Sequence, residues 1–311
     1  MLVPEDFGLP AKFTKFRPGQ LEISTKIAAS TKYAYLLDAP TGVGKSLIAA
    51  TVQKLIGKQV VYVCTTKQLQ DQLLKDFPYA RTLKGRSNYP CAKYPKMFPR
   101  VTGEECTKSI ANPCDMEEHC AYLLAKRAAL ASPLAVLNTA YFLTEANFVE
   151  SFSDLEYLVI DEFDTTEDIL MGFIEVLITQ KQLDQLELAP PKFKTKFESW
   201  VEWAQGALLI LEPRLISLKR ELESSWATTD FALMKEARML GRLVGKLRFF
   251  VKEVDKNWVW YPGEDRWSFK PVWIAKYANH NLWKHSKKVL GMSATILDRR
   301  SEEHTSELQS R

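Results

Sequence analysis

Tyr33-Ala34-Tyr35-Leu36-Leu37-Asp38-Ala39-Pro40-Thr41-Gly42-Val43-Gly44-Lys45-Ser46 is the stretch on which the fold turns. Tyr33 to Leu37 is apolar and rich in strand formers, Ala39 to Ser46 is a turn, and Leu47 to Ile56 has helical composition. Strand, glycine turn and helix in that order make a phosphate loop, matched everywhere except at its first glycine, where Ala39 stands. The chemistry needs backbone N–H groups converging on phosphate oxygens at a helix N-terminus. Gly42 and Gly44 permit this by reaching dihedrals closed to other residues. Ala39, Pro40, Thr41, Gly42, Val43, Gly44, Lys45 and Ser46 are therefore predicted to wrap a nucleotide's phosphates. Lys45 would neutralise the β and γ phosphates and Ser46 would ligate magnesium. The bland alternative is a chance glycine turn before a helix; the preceding strand and the Lys45-Ser46 pair weigh against it.

Outward from this stretch, Val60 to Val63 is a second buried-strand candidate and Lys67 to Asp76 a second helix. The βαβ alternation predicts a parallel sheet. It breaks at Tyr79, where a stretch to Gly103 carries Arg81, Lys84, Arg86, Lys93, Lys96 and Arg100 with no acid. Strand-like runs return at Leu134 to Leu137 and at Leu155 to Ile160, the second ending in Asp161-Glu162. After Asp164, two apolar stripes have helical 3,4 spacing: Leu208, Leu211, Leu215, Leu218, Leu222, then Leu233, Ala237, Leu240, Val244, Leu247, Val251. They predict two amphipathic helices packed as a hairpin, with a kink at Pro213. All eight tryptophans lie between Trp200 and Trp283. They fill a small core or supply stacking surfaces for bases, and the helical spacing favours core. Lys288 to Met292 is a last strand candidate, running into Ser293, Ala294 and Thr295.

Composition bounds the rest. With 311 residues, 46% hydrophobic and 26% charged, the chain is globular rather than disordered. A net charge of +4 is too mild to mark a nucleic-acid binder by itself. No apolar run approaches the roughly 20 residues that span a bilayer, so no membrane partner and a cytoplasmic location are expected. Five cysteines, an odd number without a secretion signal, argue against a disulfide framework. Arg300 to Arg311 reads as the translation of an adapter oligonucleotide and is set aside as a non-native tail. On that reading the natural chain continues past Asp298 and this one is a fragment.

Asp161-Glu162 closes an apolar strand, where an aspartate can hold the magnesium shell and a glutamate can orient the attacking water. Alone they would be solvated loop acids. Paired with the phosphate loop they predict an NTPase with Lys45, Asp161 and Glu162 as its catalytic residues. At this point the chain resembles a superfamily 2 helicase. Asp161-Glu162-Phe163-Asp164 stands in the place of that family's Asp-Glu-Ala-His box, and the superfamily often has alanine where Ala39 stands. Phe16-Arg17-Pro18-Gly19-Gln20 resembles the upstream motif in which arginine and glutamine read adenine. The resemblance thus implies ATP, with Arg17 and Gln20 as contacts. Thr65-Thr66 with Gln68 resembles the strand-contacting motif, and Ser293-Ala294-Thr295 the motif that couples hydrolysis to DNA movement. Phe163 and Asp164 depart from the pattern and remove its final histidine.

Cys91, Cys106, Cys114 and Cys120 are separated by 14, 7 and 5 residues. Four thiolates hold either zinc or a 4Fe-4S cluster, and spacing alone does not decide, although zinc sites usually show closer pairs. The lead-in Leu83-Lys84-Gly85-Arg86-Ser87-Asn88-Tyr89, the four cysteines and the helical insert together resemble the XPD/DinG branch of DNA helicases, over residues 12 to 298. That resemblance implies a RecA-like α/β motor domain with a parallel sheet, built from residues 1–85, 121–164 and 271–299. It implies a 4Fe-4S insert at 86–120 on the four cysteines and a helical Arch insert at 165–270, with 300–311 the tail. ATP, Mg2+ and the cluster are the implied cofactors. Single-stranded and forked duplex DNA are the implied partners, engaged by Thr65, Thr66, Lys84, Arg86, Asn138 and Tyr141 during 5′ to 3′ translocation. The basic residues from Arg81 to Arg100, interleaved with Tyr89, Tyr94 and Phe98, suit a groove that tracks a DNA backbone, or else a solvated loop. Cys64 is left as a buried strand residue. Two rivals stand beside this: a non-motor nucleotide- and DNA-binding metal module, and an RNA-directed or nuclease-fused helicase.

Overall fold

The computed structural model describes residues 2–106, 114–224 and 231–295. From the N-terminus, α1 (Gln20–Ala29), β1 (Ala34–Asp38), α2 (Lys45–Ile56), β2 (Val60–Cys64), α3 (Lys67–Asp76) and β3 (Arg81–Leu83) follow one another. After several single 3-10 turns come α4 (Ala121–Ala131), β4 (Leu134–Asn138), α5 (Thr139–Thr144) and β5 (Tyr157–Asp161). Next are α6 (Thr166–Ile174), β6 (Val176–Thr179), α7 (Gln180–Gln185), α8 (Phe197–Ser224) and α9 (Phe231–Glu253). The last elements are β7 (Trp258–Pro262), β8 (Arg266–Pro271), α10 (Ala275–Asn281) and β9 (Val289–Ser293). They form two compact units, one of residues 1–85, 121–170 and 275–311, the other of residues 86–120 and 171–274.

The first unit is built on a six-stranded sheet of order β1-β9-β5-β2-β4-β3, parallel throughout. Strands buried on both faces read as continuous apolar runs, and all five residues of β2 are buried. Ile27, Leu47, Ile48 and Val52 from the helices pack on Val60, Tyr62, Val136, Val159 and Leu290 of the sheet. The last strand, β9, lies between β1 and β5, pairing Asp38 with Ser293 and Asp161 with Met292. The carboxyl ends of β1, β5 and β9 are therefore level, at the edge where open α/β sheets bind ligands.

Gly291, in the middle of β9, is required by space. A Cβ there would lie 2.6 Å from Cδ2 of Phe163 and 2.9 Å from Cδ2 of Leu36. The Phe163 ring has little room to retreat, because it stacks on Trp283 with centroids 6.1 Å apart. Gly291→Ala is expected to cost about 1–3 kcal/mol by overpacking. At about 2–4 °C per kcal/mol for a domain of this size, a calorimetric scan should show the midpoint fall. An unchanged midpoint would mean the ring moves freely.

In the second unit α8 and α9 pack along one another, burying Leu211, Leu215 and Leu218 against Leu240, Leu243, Val244 and Leu247. Pro213 does not end α8, which runs on to Ser224. The proline is exposed, as is Leu209, whose carbonyl it deprives of a partner, so water can satisfy that carbonyl. This unit also holds an antiparallel sheet of order β6-β8-β7, which the helical stripes had not predicted. Trp200, Trp258 and Trp267 are buried, and Trp200 meets Trp267 at 4.6 Å between centroids, so these tryptophans build core. Trp273 is 74% exposed. Trp226 lies outside the described residues.

The cysteine-bearing segment is anchored on α9. Phe231, Arg238 and Arg242, spaced by 7 and 4 residues, share one helical stripe. Phe231 meets Tyr94 edge to face at 5.4 Å. Arg238 pairs with Glu105 and, at 3.3 Å, with Glu104, while Arg242 pairs with Glu104. Burial raises the Glu105 carboxyl, but hydrogen bonds from Thr102 and the charge of Arg238 outweigh it and hold the group low.

Candidate active site

The phosphate loop leaves the end of β1 and enters α2 through two left-handed glycines, Gly42 at φ 85° and Gly44 at φ 86°. The backbone curls so tightly that Lys45 Nζ, at the helix start, donates to the Ala39 carbonyl at 3.0 Å. Arg17 and Gln20, expected to read adenine, lace the loop from outside. Gln20 accepts from the Arg17 N–H at 2.8 Å and donates to the Val43 carbonyl at 2.6 Å, and Arg17 donates to the Gly42 carbonyl.

Asp161 ends β5. Its Oδ2 accepts from the Tyr62 hydroxyl at 2.8 Å and its Oδ1 from the Glu162 N–H at 3.1 Å. Burial raises its pKa, opposed by the Tyr62 and Glu162 hydrogen bonds and by the charge of Lys45. Glu162 is left-handed at φ 51°, a strained conformation for this residue type, and its carboxylate accepts from the Thr65 hydroxyl. The strand-contacting motif is thereby tied to the acid pair. Ser46, at the start of α2, supplies a hydroxyl and Asp161 a carboxylate, the oxygen donors that magnesium takes beside phosphate and water, and the donor set fits that ion.

The coupling motif has a partner that sequence reasoning had not supplied. Asp164 Oδ1 accepts from the Ser293 hydroxyl at 2.6 Å and Oδ2 from the Thr295 hydroxyl at 2.8 Å, with Ala294 between them. Ser293 also accepts the Ala39 N–H at 2.9 Å through its carbonyl, linking that motif to the phosphate loop. A carboxylate thus connects the acid box to the end of β9 where the box lacks histidine. Asp164→Ala is expected to cost about 1.5 kcal/mol, the low end for hydrogen bonds to a charged group, because Thr295 is exposed. Thermal melts check this, and an unaltered midpoint would show the contacts to be idle.

Residues 17–197 match the DEAD/DEAH box helicase family. The chain belongs to that family. Membership implies ATP and Mg2+ use and nucleic-acid binding. No curated protein sequence matches. Among solved structures, an XPD helicase is similar with a TM-score of 0.53 at 17% identity, covering 91% of this chain and 59% of that one. A truncated XPD gives 0.52 at 17%, covering 90% and 94%. At such identity the likeness is one of fold, and this chain spans 59% of the first of those proteins.

The remaining predicted residues of the helicase chain are placed as follows. Thr66 caps α3, accepting from the Leu69 N–H at 3.2 Å. Asn138 caps α5 and donates to the Thr65 carbonyl. Tyr141 donates to Glu145 at 2.7 Å, and Lys84 pairs with Asp71 at 2.7 Å. Arg86 opens a 3-10 turn in the second unit. Burial pushes the Cys64 thiol up to about 12, which makes it inert.

None of the five cysteines is in a disulfide. Four cysteine thiols in one segment suit a soft-metal site chemically. Among the described residues no three His, Cys, Asp or Glu side chains converge on a metal position, and 107–113, between Cys106 and Cys114, lie outside those residues. Lys93 Nζ lies 3.6 Å from Asp115 Oδ1, which brings the turn after Cys91 beside the one after Cys114. Among the described residues no helix is long and apolar enough to cross a membrane.

Proposed function

We propose that this chain is the first motor domain of a cytoplasmic 5′ to 3′ DNA helicase of the XPD/DinG type. What carries the reading is the gathering of the phosphate loop, Asp161 and the Asp164-Ser293-Thr295 contacts at the carboxyl ends of β1, β5 and β9. Backbone N–H groups from Thr41 to Ser46 bind the ATP phosphates, Lys45 neutralises them, and Ser46 and Asp161 would hold magnesium. Glu162 orients the attacking water, and Asp164 passes the state of the site to Ser293 and Thr295. A magnesium ion held by Ser46 and Asp161 would offset the negative charge of the phosphates. Thr65, Thr66, Lys84, Arg86, Asn138 and Tyr141 line the DNA path.

Residues 86–120 form the cluster insert, in which Cys91, Cys106, Cys114 and Cys120 hold one 4Fe-4S cluster, and residues 165–270 form the Arch. The likeness in fold to XPD supports both assignments, and none of the four cysteines is in a disulfide. Unwinding of forked duplex DNA belongs to the whole protein. The test is analysis of iron and acid-labile sulphide after purification without oxygen, with each cysteine changed to serine in turn. About four of each per chain, lost with any one cysteine, is expected. Stoichiometric zinc without sulphide would overturn the XPD/DinG assignment while leaving the nucleotide site intact.

A further inference from the structure

Tyr62 is 1% exposed in the centre of β2, a strand buried along its whole length between β4 and β5. A phenylalanine would fill the same space, and a buried hydroxyl costs stability unless it is hydrogen-bonded, so the oxygen needs explaining. Its hydrogen-bond partner is the carboxylate of Asp161, at 2.8 Å. Asp161 closes β5 and is read above as a magnesium ligand.

Strand geometry explains how the side chain reaches it. Tyr62 is in register with Val159, so it shares a sheet face with Asp161 two residues further on, and α2 covers that face. A phenol has one proton to donate and lone pairs to accept. With its proton on Oδ2, it pins the rotamer of the Asp161 carboxylate and leaves the remaining lone pairs for a metal.

We propose that Tyr62 is a positioning residue for magnesium, holding the Asp161 carboxylate in the orientation the ion requires before it arrives. The proposal rests on the nucleotide-site reading above. Its test is Tyr62→Phe in this chain, with ATP affinity measured in Mg2+ and in EDTA. The ring is kept, so the variant is expected to fold. Its affinity should fall about tenfold in Mg2+, which is about 1.4 kcal/mol, and stay unchanged in EDTA. Equal losses in both conditions would mean that Tyr62 only packs, and no loss would remove its role; either overturns the proposal. A second measurement needs no variant: in wild-type chain labelled at tyrosine Cζ, adding Mg2+ to the ATP-bound protein should move a buried tyrosine resonance. No movement would overturn the proposal as well. Wild-type chain whose ATP affinity ignores Mg2+ would overturn the site reading itself, and the proposal with it.

Discussion

Replacing Lys126 with alanine is expected to destabilise the first unit by about 3–5 kcal/mol, the range for removing one partner of a buried ion pair. Glu145 is 1% exposed and accepts from Lys126 at 2.8 Å, Tyr122 at 2.6 Å and Tyr141 at 2.7 Å. Without the ammonium, two phenols are left to solvate a buried carboxylate. The thermal midpoint should fall by about 6–20 °C, at about 2–4 °C per kcal/mol. The pH dependence follows from the sign of the shift. Burial raises Glu145, but hydrogen bonds from Lys126 and both tyrosines outweigh it, so its folded pKa is below the ordinary value of about 4.3. The wild-type contribution is complete above that value and is lost as pH falls through the folded pKa. In the variant burial wins, the pKa rises, and protonation relieves the unpaired charge. The stability gap between the two proteins should therefore narrow from pH 7 to pH 4. A gap under 1 kcal/mol at pH 7 would show that the network contributes little.

Gly44→Ala is expected to disable nucleotide binding by two routes. The residue sits at φ 86°, where a Cβ costs about 1–2 kcal/mol. That Cβ would also lie 2.5 Å from Gln20 Nε2, forcing away the side chain that holds both the Val43 carbonyl and the Arg17 N–H. Each of those bonds contributes about 1 kcal/mol. A combined loss of about 3–4 kcal/mol is a fall in ATP affinity of about 150- to 1000-fold. Titration with a fluorescent ATP analogue measures it. Gln20→Ala separates the routes, since it removes the bonds without straining the loop and should show only their share. If Gly44→Ala binds like the wild type, the loop does not cradle phosphate in this conformation.

The alternation of strand and helix around 33–76 and the returning strands at 134, 155 and 288 were legible because parallel strands buried on both faces leave unbroken apolar runs. The phosphate loop was legible because its glycines and Lys45-Ser46 are contiguous. Strand β3 was missed: it is only three residues, one of them an exposed arginine. The sheet of β6, β7 and β8 was missed too, since Trp258, Trp260 and Trp267 were counted with a helical core, although their period-two placement, shared by Phe269, belongs to strands.

From the sequence alone came the family, the nucleotide chemistry and the parallel sheet, each resting on neighbours within a few positions or on apolar periodicity. Only tertiary structure set β9 between β1 and β5, gave Asp164 to Ser293 and Thr295, joined Tyr62 to Asp161, and paired Lys126 with Glu145. These partners lie 131, 129, 99 and 19 residues apart along the chain. No local pattern marks such a pair, because a carboxylate buried at a strand end and one left in solvent are the same letter until folding decides which of them loses its water.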